Sequence, residues 1–449
     1  MNFRELLEIV LSGRTPPKYR ISLIQALRPW PVSPIARAGI KPGLHHYLRE
    51  AEGTFTRFHL RVDSTGNGLL LANASAAARL HASGVIITKG LLEKEEEPVI
   101  VDRLLRSFRM VTPQQAAEDV RRVGEIISTL EMPGDNYPIV NLADPSFSPE
   151  VAPLDRPLSA DVPLAAPERL LPILDRLWEL GIPHVTLIAG EQPGTPWVAA
   201  ALVRAVERAE DLGLIAGVRA RGSDLMQGSL VKDLAQAGVD HVDVLYLSAQ
   251  PQVHDALAGA GDHQQAVQAL TEVHANEVCP VAEIALVEST SAGIEETLES
   301  LAARGVTNAA FFAVAMAEGR SSGGALPAGE LIPVARLVEE SAEESQVRYL
   351  WYPPVRFHLG GSLPREVRRG PRSSGDHAVR VEPDGSVIPA RGPCRPAGNL
   401  LTDPWEKIHR GRVFRDYRAR VETDTHCDDC PGLAICAADC PRNPAGWAD

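Results

Sequence analysis

Short apolar segments alternate with longer amphipathic segments between residues 138 and 350 of the chain. Apolar runs of this kind predict buried strands, and segments with apolar positions three or four residues apart predict helices. The predicted strands are Ile139–Leu142, His184–Ile188, Leu214–Arg219, His241–Leu247, Val281–Leu286 and Asn308–Phe312. The predicted helices between them are Glu168–Leu180, Val198–Leu212, Leu230–Ala237, Gln264–Val273 and Ile294–Arg304. This order indicates right-handed βαβ units and an α/β fold with a parallel sheet. The number of units is sufficient for a partial barrel over residues 133–350.

The first 54 residues are predicted to form a helical, proline-rich extension. Helical spacing of apolar residues runs from Phe3 to Leu11, and prolines then interrupt the pattern repeatedly. We expect this helix to pack against other parts of the same chain. The alternative is that it contacts a membrane surface or a partner protein.

A small α+β domain is predicted for residues 55–132. Phe55–Val62 alternates like a half-buried strand, and after a turn the chain returns as a second strand at Leu69–Ala72. Helices are then predicted over residues 74–82, 98–109 and 112–130. The last of them begins with Thr112-Pro-Gln-Gln115, a capping box with proline at the first helical position.

This order of a strand pair and three helices is similar to the winged-helix-like domains of the PqqD family, also called RiPP recognition elements. The resemblance is carried by Leu70–Ala77 and by Ala116–Val120. It implies that the leader of a precursor peptide binds against a sheet edge, where main-chain groups are free to pair. A winged helix could also bind DNA, which the acidic chain disfavours, and a purely structural packing domain is the third alternative.

The composition narrows the classes of function. The chain has 58 acidic and 45 basic residues and a formal charge of −13 at pH 7. This balance argues against nucleic-acid binding, because phosphate neutralisation needs a basic face. No apolar run is long enough to span a bilayer, and the acidic start lacks a signal-peptide pattern. We therefore expect a cytoplasmic protein, in which a cysteine cluster favours a metal site over disulfides.

Three loops that follow predicted strands resemble motifs of the radical S-adenosylmethionine (SAM) enzymes. Their counterparts in that family are the Gly-Gly-Glu-Pro turn, the Thr-Asn-Gly segment and the His-Asp-x-x-Arg-Gly loop. The matching segments here are Ala189-Gly-Glu-Gln-Pro193, Arg219-Ala-Arg-Gly222 and Ala249–Gly261. The resemblance implies a partial (β/α)6 barrel with its ligand at the carboxyl ends of the strands. Gly190 and Glu191 would then form a vestigial SAM-binding turn, altered by Gln192.

The C-x3-C-x2-C motif that defines the radical SAM family has no counterpart. In the family it follows the first strand and binds a [4Fe-4S] cluster. Counting from Ile139–Leu142 places Ser146, Glu150 and Pro153 at the three cysteine positions. Serine and glutamate are poor ligands for a soft iron–sulfur centre, and proline is no ligand. We therefore expect a radical SAM fold without reductive cleavage of SAM and with doubtful SAM binding; a barrel of other descent is the alternative.

Residues 351–449 resemble the SPASM domain, the auxiliary-cluster domain of peptide-modifying radical SAM enzymes. Val379–Pro389 looks like the hairpin of that domain, and Ala397–Ile408 looks like its following turn and helix. The most specific match is the series C-x2-C-x5-C-x3-C, formed by Cys427, Cys430, Cys436 and Cys440. The family has further cysteines for a second cluster, and Ala390 stands at one of their positions. One cluster is therefore the most that the cysteines support.

Three of these thiols, Cys427, Cys430 and Cys436, are expected to bind one [4Fe-4S] cluster together, as the resemblance implies. The fourth ligand is left open among Cys440, Cys394, Asp439 and Asp449. Zinc is the competing metal, because four thiolates bind it tetrahedrally. The resemblance favours the iron–sulfur cluster.

The other residues that could take part in catalysis or binding are interpreted mainly as structural. Cys279 precedes a proline and is expected to be a buried apolar residue rather than a nucleophile. His254 and Asp255 suggest acid–base chemistry, but they lie in a family loop whose role is mainly structural. A basic loop ahead of the hairpin is expected to be solvated, and binding of an acidic peptide or partner is the alternative; the loop contains Arg365, Arg368, Arg369 and Arg372.

The favoured function is that of a non-catalytic peptide-binding partner or scaffold in the maturation of a ribosomally made peptide or a peptide-derived cofactor. It would carry one auxiliary cluster and would work with an active radical SAM enzyme or another subunit. One alternative is an iron–sulfur electron-transfer or structural subunit of a larger complex. The other is a divergent enzyme with non-radical chemistry near Glu191.

Overall fold

The structure of the protein is a computed structural model. It describes residues 33–51, 54–72, 76–131, 154–190, 199–316, 322–358, 360–373, 375, 377–389 and 395–421. The chain divides into two compact units. The smaller unit takes residues up to 42, 62–69 and 79–128, and the larger takes 43–61, 70–78 and the chain from 129 onward.

Among the described residues, four helices belong mainly to the smaller unit. They are α1 (Pro34–Arg37), α2 (Ala82–Leu92), α3 (Glu97–Ser107) and α4 (Pro113–Glu131). Helices α2 and α3 lie in close contact, since a Cβ atom at Gly90 would stand 2.7 Å from Ile100 Cγ1. The predicted capping box of α4 is confirmed: Gln115 N–H donates to Thr112 Oγ1 at 3.2 Å, and Thr112 N–H donates to Gln115 Oε1 at 3.1 Å.

A four-stranded sheet precedes α2 in the chain. Its strands are β1 (Gly43–Ala51), β2 (Thr54–Val62), β3 (Gly68–Ala72) and β4 (Ala76–Leu80), paired in that order. The predicted strand pair is confirmed as β2 and β3. The helix predicted over residues 74–82 is wrong. Its alanines favour a helix by propensity, but pairing of β4 with β3 overrides that preference.

Strand β1 was missed because the helical, proline-rich extension was predicted to continue to residue 54. The sequence of β1, Gly-Leu-His-His-Tyr-Leu-Arg-Glu-Ala, lacks the regular apolar–polar alternation that marks a half-buried strand. Residues 1–32, with the helix predicted from Phe3 to Leu11, lie outside the described residues.

The larger unit is built on a parallel sheet. The strands β5 (Ser159–Pro163), β6 (His184–Ile188), β7 (Ile215–Arg221), β8 (His241–Leu245), β9 (Cys279–Leu286) and β10 (Asn308–Met316) pair in chain order, each parallel to the next. Three short strands also pair with β10 in parallel: β11 (Leu326–Pro327), β12 (Arg348–Trp351) and β13 (Val355–Arg356). The predicted α/β fold with a parallel sheet is thus confirmed, as are the five predicted strands from residue 184 onward.

Helices join successive strands of this sheet, as the alternating pattern predicted. They are α5 (Pro167–Leu180), α6 (Ala199–Leu212), α7 (Gly222–Leu225), α8 (Leu230–Gln236), α9 (Pro251–Ala258), α10 (Asp262–Ala275), α11 (Glu288–Ser291) and α12 (Ile294–Ala302). Helix α13 (Leu331–Glu344) follows β11, and α14 (Leu363–Arg368) follows β13. The five predicted helices between residues 168 and 304 are confirmed within a few residues at their ends.

The two faces of the parallel sheet differ in polarity. Alternate positions such as Val185, Val218 and Ile284 are buried in one large apolar cluster with the connecting helices. The positions between them carry charged or polar side chains on several strands, and these are also buried: Asp161, His184, Arg219, His241, Asp243 and Glu283. Because side chains of a strand alternate between its faces, these polar residues share the face turned away from the helices.

Strand β5 was not predicted. Its sequence, Ser-Ala-Asp-Val-Pro, has a buried charge at its centre and a proline at its end, so the apolar pattern is weak. It runs into α5 through three residues, Leu164, Ala165 and Ala166. The strand predicted at residues 139–142 lies outside the described residues, together with Ser146, Glu150 and Pro153.

The C-terminal hairpin extends the same sheet. Strand β14 (Ala378–Val381) pairs parallel with β5 and antiparallel with β15 (Ser386–Ile388), which pairs with β16 (Gly398–Asn399). Helices α15 (Trp405–His409) and α16 (Arg412–Val421) follow. The predicted hairpin and following helix are therefore confirmed. In the described part of the chain, no helix combines the length and apolar character needed to cross a membrane.

Candidate functional site

A cavity of about 740 Å³ opens at the carboxyl ends of strands β6, β7 and β8, and Glu283 of β9 also lines it. This is the end of a parallel sheet at which ligands generally bind, and the volume lies in the range of small-molecule and peptide pockets. The lining is unusually basic for so acidic a chain. Among the described residues, six arginines line the cavity against two glutamates, Glu283 and Glu382; the arginines are Arg219, Arg221, Arg365, Arg368, Arg369 and Arg380.

Arg219 on β7 forms the buried centre of this lining. Its Nε donates to Glu283 Oε2 at 2.5 Å, and its Nη1 lies 4.0 Å from Asp161 Oδ1. The guanidinium carbon lies 5.6 Å from the ring centroid of Tyr352, a cation–π distance. The Nη2 nitrogen is buried and has no hydrogen-bond partner within the described residues. One donor of a 5%-exposed arginine is therefore left for a ligand.

The ionisation of this pair follows from burial and proximity. Burial alone would lower the pKa of Arg219, but the carboxylates of Glu283 and Asp161 raise it above its ordinary value. Burial raises the pKa of Glu283 to about 7, against the lowering effect of Arg219. The arginine is therefore permanently charged, and it carries its charge next to the cavity.

The rim of the cavity is formed by α14. Arg368 ends α14 and Arg369 follows it, three and four residues after Arg365, so these three exposed arginines share one side of the turn. Val367 on the other side is fully buried in an apolar cluster that includes residues of β9 and β10. Three arginines of the predicted basic loop therefore line the cavity, whereas the fourth, Arg372, is buried and does not line it.

Gly190 is the described member of the predicted SAM-binding turn, and it also lines the cavity. Its φ of 71° lies in the left-handed region, and a Cβ atom there would stand 2.6 Å from Asp224 Oδ2. Asp224 is itself held by Arg221, with Nε and Nη2 donating to its two oxygens at 2.9 Å each. The turn therefore requires glycine for both conformation and space. Glu191 and Gln192 lie outside the described residues.

A second polar cluster lies deeper on the same face of the sheet. His184 Nε2 and His241 Nε2 are 2.8 Å apart, and His241 Nδ1 lies 2.8 Å from Asp243 Oδ1. Burial, reinforced by His241, lowers the pKa of His184 to about 3, so this imidazole is neutral. The three residues form a buried hydrogen-bonded chain, and none of them lines the cavity.

The residues predicted to be structural have structural contacts. Buried His254 accepts from the Leu247 N–H at Nδ1 and is 3.1 Å from Asp262 Oδ2 at Nε2. Asp255 accepts from the N–H groups of Gly261 and His263, both at 2.8 Å. These bonds connect the loop after β8 to α10.

The positions of the predicted metal ligands are not described. Cys394, Cys427, Cys430, Cys436 and Cys440 all lie outside the described residues. Within the described ranges, no group of three or more histidine, cysteine or acidic side chains could hold a metal ion. Cys279 is described and half-buried, and burial raises the pKa of its thiol, which keeps it protonated and unreactive.

Comparisons with known proteins place the fold. No protein-family model matches the sequence, and no characterised protein sequence matches it. Several solved structures do match, among them SuiB of Streptococcus suis. With SAM bound, SuiB has a TM-score of 0.54 and 12% identity over 90% of this chain and 100% of its own. With the precursor peptide SuiA bound, it has a TM-score of 0.53 and 12% identity over 88% and 95% of the two chains.

A third structure of SuiB gives a TM-score of 0.55, again at 12% identity, over 87% of this chain and 99% of SuiB. At this identity the likeness concerns the fold alone. It supports the relationship to the radical SAM fold that the three loop motifs predicted, and it extends over nearly the whole chain.

Proposed function

We propose that this protein binds a peptide during peptide maturation and does not cleave SAM by the radical route. The fold it shares with SuiB supports the peptide part, since SuiB has been crystallised with a precursor peptide. The partner would be a ribosomally made peptide, presented to an active radical SAM enzyme or another subunit. The N-terminal PqqD-like domain would hold its leader by strand pairing at a sheet edge.

The observation that carries the non-radical part is the passage from β5 to α5. Strand β5 pairs with β6 as the first of the parallel series, and it enters α5 after Leu164, Ala165 and Ala166. None of these three residues has a thiol, and the first cysteine anywhere in the sequence is Cys279. A connection of this length and composition does not fit a three-cysteine cluster loop.

The charge of the cavity also disfavours binding of SAM. SAM has a net positive charge, because its sulfonium and ammonium outnumber its one carboxylate, and the described lining of the cavity has six arginines against two glutamates. Like charges at close range oppose binding. The finer layout that we propose is a degenerate partial (β/α)6 barrel between a winged-helix-like domain and a SPASM-like domain.

Peptide binding is tested by calorimetric titration of the full chain with the precursor peptides encoded near its gene. We expect one of them to bind with a dissociation constant of about 1–10 µM, and a scrambled peptide of the same composition to bind at least tenfold more weakly. Absence of binding by every such peptide would contradict the proposal.

The SPASM-like tail is proposed to hold one [4Fe-4S] cluster through Cys427, Cys430 and Cys436, with Cys440 or Cys394 as the fourth ligand. We expect anaerobically purified protein to contain about four irons per chain and to absorb visible light. The double variant C427A/C430A should lose both, because thiolates supply the cluster bonds. The control C279A, whose thiol lies in β9 within the described sheet, should keep them. A colourless protein with one zinc per chain would refute the cluster.

A further inference from the structure

The described lining of the cavity at the sheet end is basic, although the chain as a whole is acidic. The chain carries a formal charge of −13, yet arginines outnumber glutamates three to one in the cavity lining. Like charges collected in one place repel each other and raise the free energy of the folded state. An anionic ligand that neutralises them would bind with a strong electrostatic contribution.

Each of the two glutamates in the described lining of the cavity already forms an ion pair with one arginine. Glu283 pairs with Arg219, and Glu382 accepts from Arg380 Nε at 2.5 Å. Arg219 and Arg380 are both buried. The buried, unpartnered Nη2 of Arg219 adds a donor that the protein itself does not satisfy within the described residues. The charges of the floor are therefore largely paired, but the floor retains hydrogen-bonding capacity at Arg219 Nη2.

The rim adds exposed charges. Arg365 and Arg368 on α14 line the cavity, and neither forms an ion pair with a carboxylate of the described chain. Exposed arginines of this kind keep a fork of donors that matches a carboxylate in two-point geometry. A ligand with several acidic groups along an extended backbone could contact both the rim arginines and the buried floor arginine, because all of them line the same cavity of about 740 Å³.

We propose that this cavity binds an acidic segment of a peptide, with carboxylates of Asp or Glu side chains received by Arg219 on the floor and by Arg365 and Arg368 on the rim. The assignment of the anion to a peptide rests on the proposed function, whereas the preference for clustered carboxylates rests on the cavity alone. The acidic segment would be a second contact, separate from the leader segment held at the sheet edge.

The probe that tests this is fluorescein-labelled hexaglutamate, with hexaglutamine as its neutral counterpart, measured by fluorescence polarisation on the full chain. We expect hexaglutamate to bind, hexaglutamine to bind at least about tenfold more weakly, and added salt to weaken the binding of hexaglutamate. Because the rest of the molecule is acidic, nonspecific attraction of this probe is disfavoured. Equal binding of the two peptides would overturn the proposal.

Variants locate the binding. R365Q/R368Q removes two exposed rim charges and should weaken hexaglutamate binding about tenfold, the effect of losing two charge-assisted contacts. The matched control R410Q/R415Q removes two exposed arginines that do not line the cavity and should leave the affinity within about twofold. An equal loss in both variants would overturn the assignment to the cavity. Binding of citrate without binding of hexaglutamate would overturn the assignment to a peptide.

The same variants separate this inference from the proposed function. If a precursor peptide binds R365Q/R368Q as tightly as it binds the unchanged chain, the proposed function stands and the cavity assignment fails. If no precursor peptide binds but hexaglutamate binds in a rim-dependent way, the carboxylate preference of the cavity stands and the proposed function fails.

Discussion

Replacing Arg219 by methionine should lower the free energy of unfolding by about 3–5 kcal/mol above pH 8, the usual cost of removing one partner of a buried ion pair. The variant leaves Glu283 buried without the guanidinium that donates to it at 2.5 Å. Without that partner, the pKa of Glu283 rises further above the value of about 7 that burial already produces. Urea denaturation followed by circular dichroism measures the loss.

The pH dependence of this loss has a definite sign. A carboxyl whose pKa is higher in the folded than in the unfolded state binds more protons when folded, so its contribution to stability falls as pH rises. The destabilisation of R219M should therefore be smaller at pH 6, where Glu283 can take up a proton, than at pH 8.5. The second change in R219M/E283L should recover most of the loss at the higher pH.

The control for this prediction is R208M, in the same unit. Arg208 on α6 and Asp175 on α5 form an ion pair whose side chains are 38% and 44% exposed, so its removal should cost less than about 1 kcal/mol. A pH-independent loss in R219M, or a loss equal to that of R208M, would contradict the buried pair at the floor of the cavity.

Replacing Gly222 by alanine should destabilise the larger unit by more than about 3 kcal/mol, beyond the usual range for an added core methyl group. Gly222 begins α7, where β7 ends. A Cβ atom there would stand 2.1 Å from the backbone nitrogen of Ala266 and 2.5 Å from its Cα. Backbone atoms of α10 cannot move aside as the end of a side chain can, so the two helices must separate. Thermal denaturation measures the effect.

Gly293 provides the control substitution. It has an ordinary backbone conformation, and a Cβ atom there would have its nearest neighbour, Gln250 Nε2, at 3.9 Å. We expect G293A to change stability by no more than about 0.5 kcal/mol. Similar losses in G222A and G293A would mean that the close approach of α7 and α10 is not as described.

The parallel part of the fold was predictable because its strands are continuous apolar runs separated by amphipathic helices. His184–Ile188 and Leu230–Gln236 illustrate how closely such periodic segments match their predicted bounds. Strand β5 was not predictable in the same way, because Asp161 stands at its centre. That aspartate is buried because it lies near Arg219, a pairing across strands that no local pattern reveals. Strand β4 was misassigned because its alanines carry a helical propensity that only pairing with β3 overrides.

The candidate site was predictable in its parts but not in its assembly. The loop motifs lie near the carboxyl ends of strands, where the structure has Gly190 and Arg219, but the arginine-rich stretch near residue 365 was predicted to be a solvated loop, with an acidic peptide or partner as the alternative. Nothing local indicated that α14 would meet the ends of β7 and β8 around one cavity. The signal that could have suggested it is charge: the arginines cluster in an acidic chain and have few acidic neighbours in sequence. The predicted metal ligands remain a prediction, because they lie outside the described residues.

The proposal that this chain binds a peptide without radical chemistry is checked by incubating the anaerobically reconstituted protein with SAM, dithionite and a bound precursor peptide. Release of methionine from SAM is then quantified by chromatography. We expect no more methionine than in a control without protein, because the connection from β5 to α5 has no thiol to hold a cluster. Methionine release at several equivalents per chain above that control would contradict it.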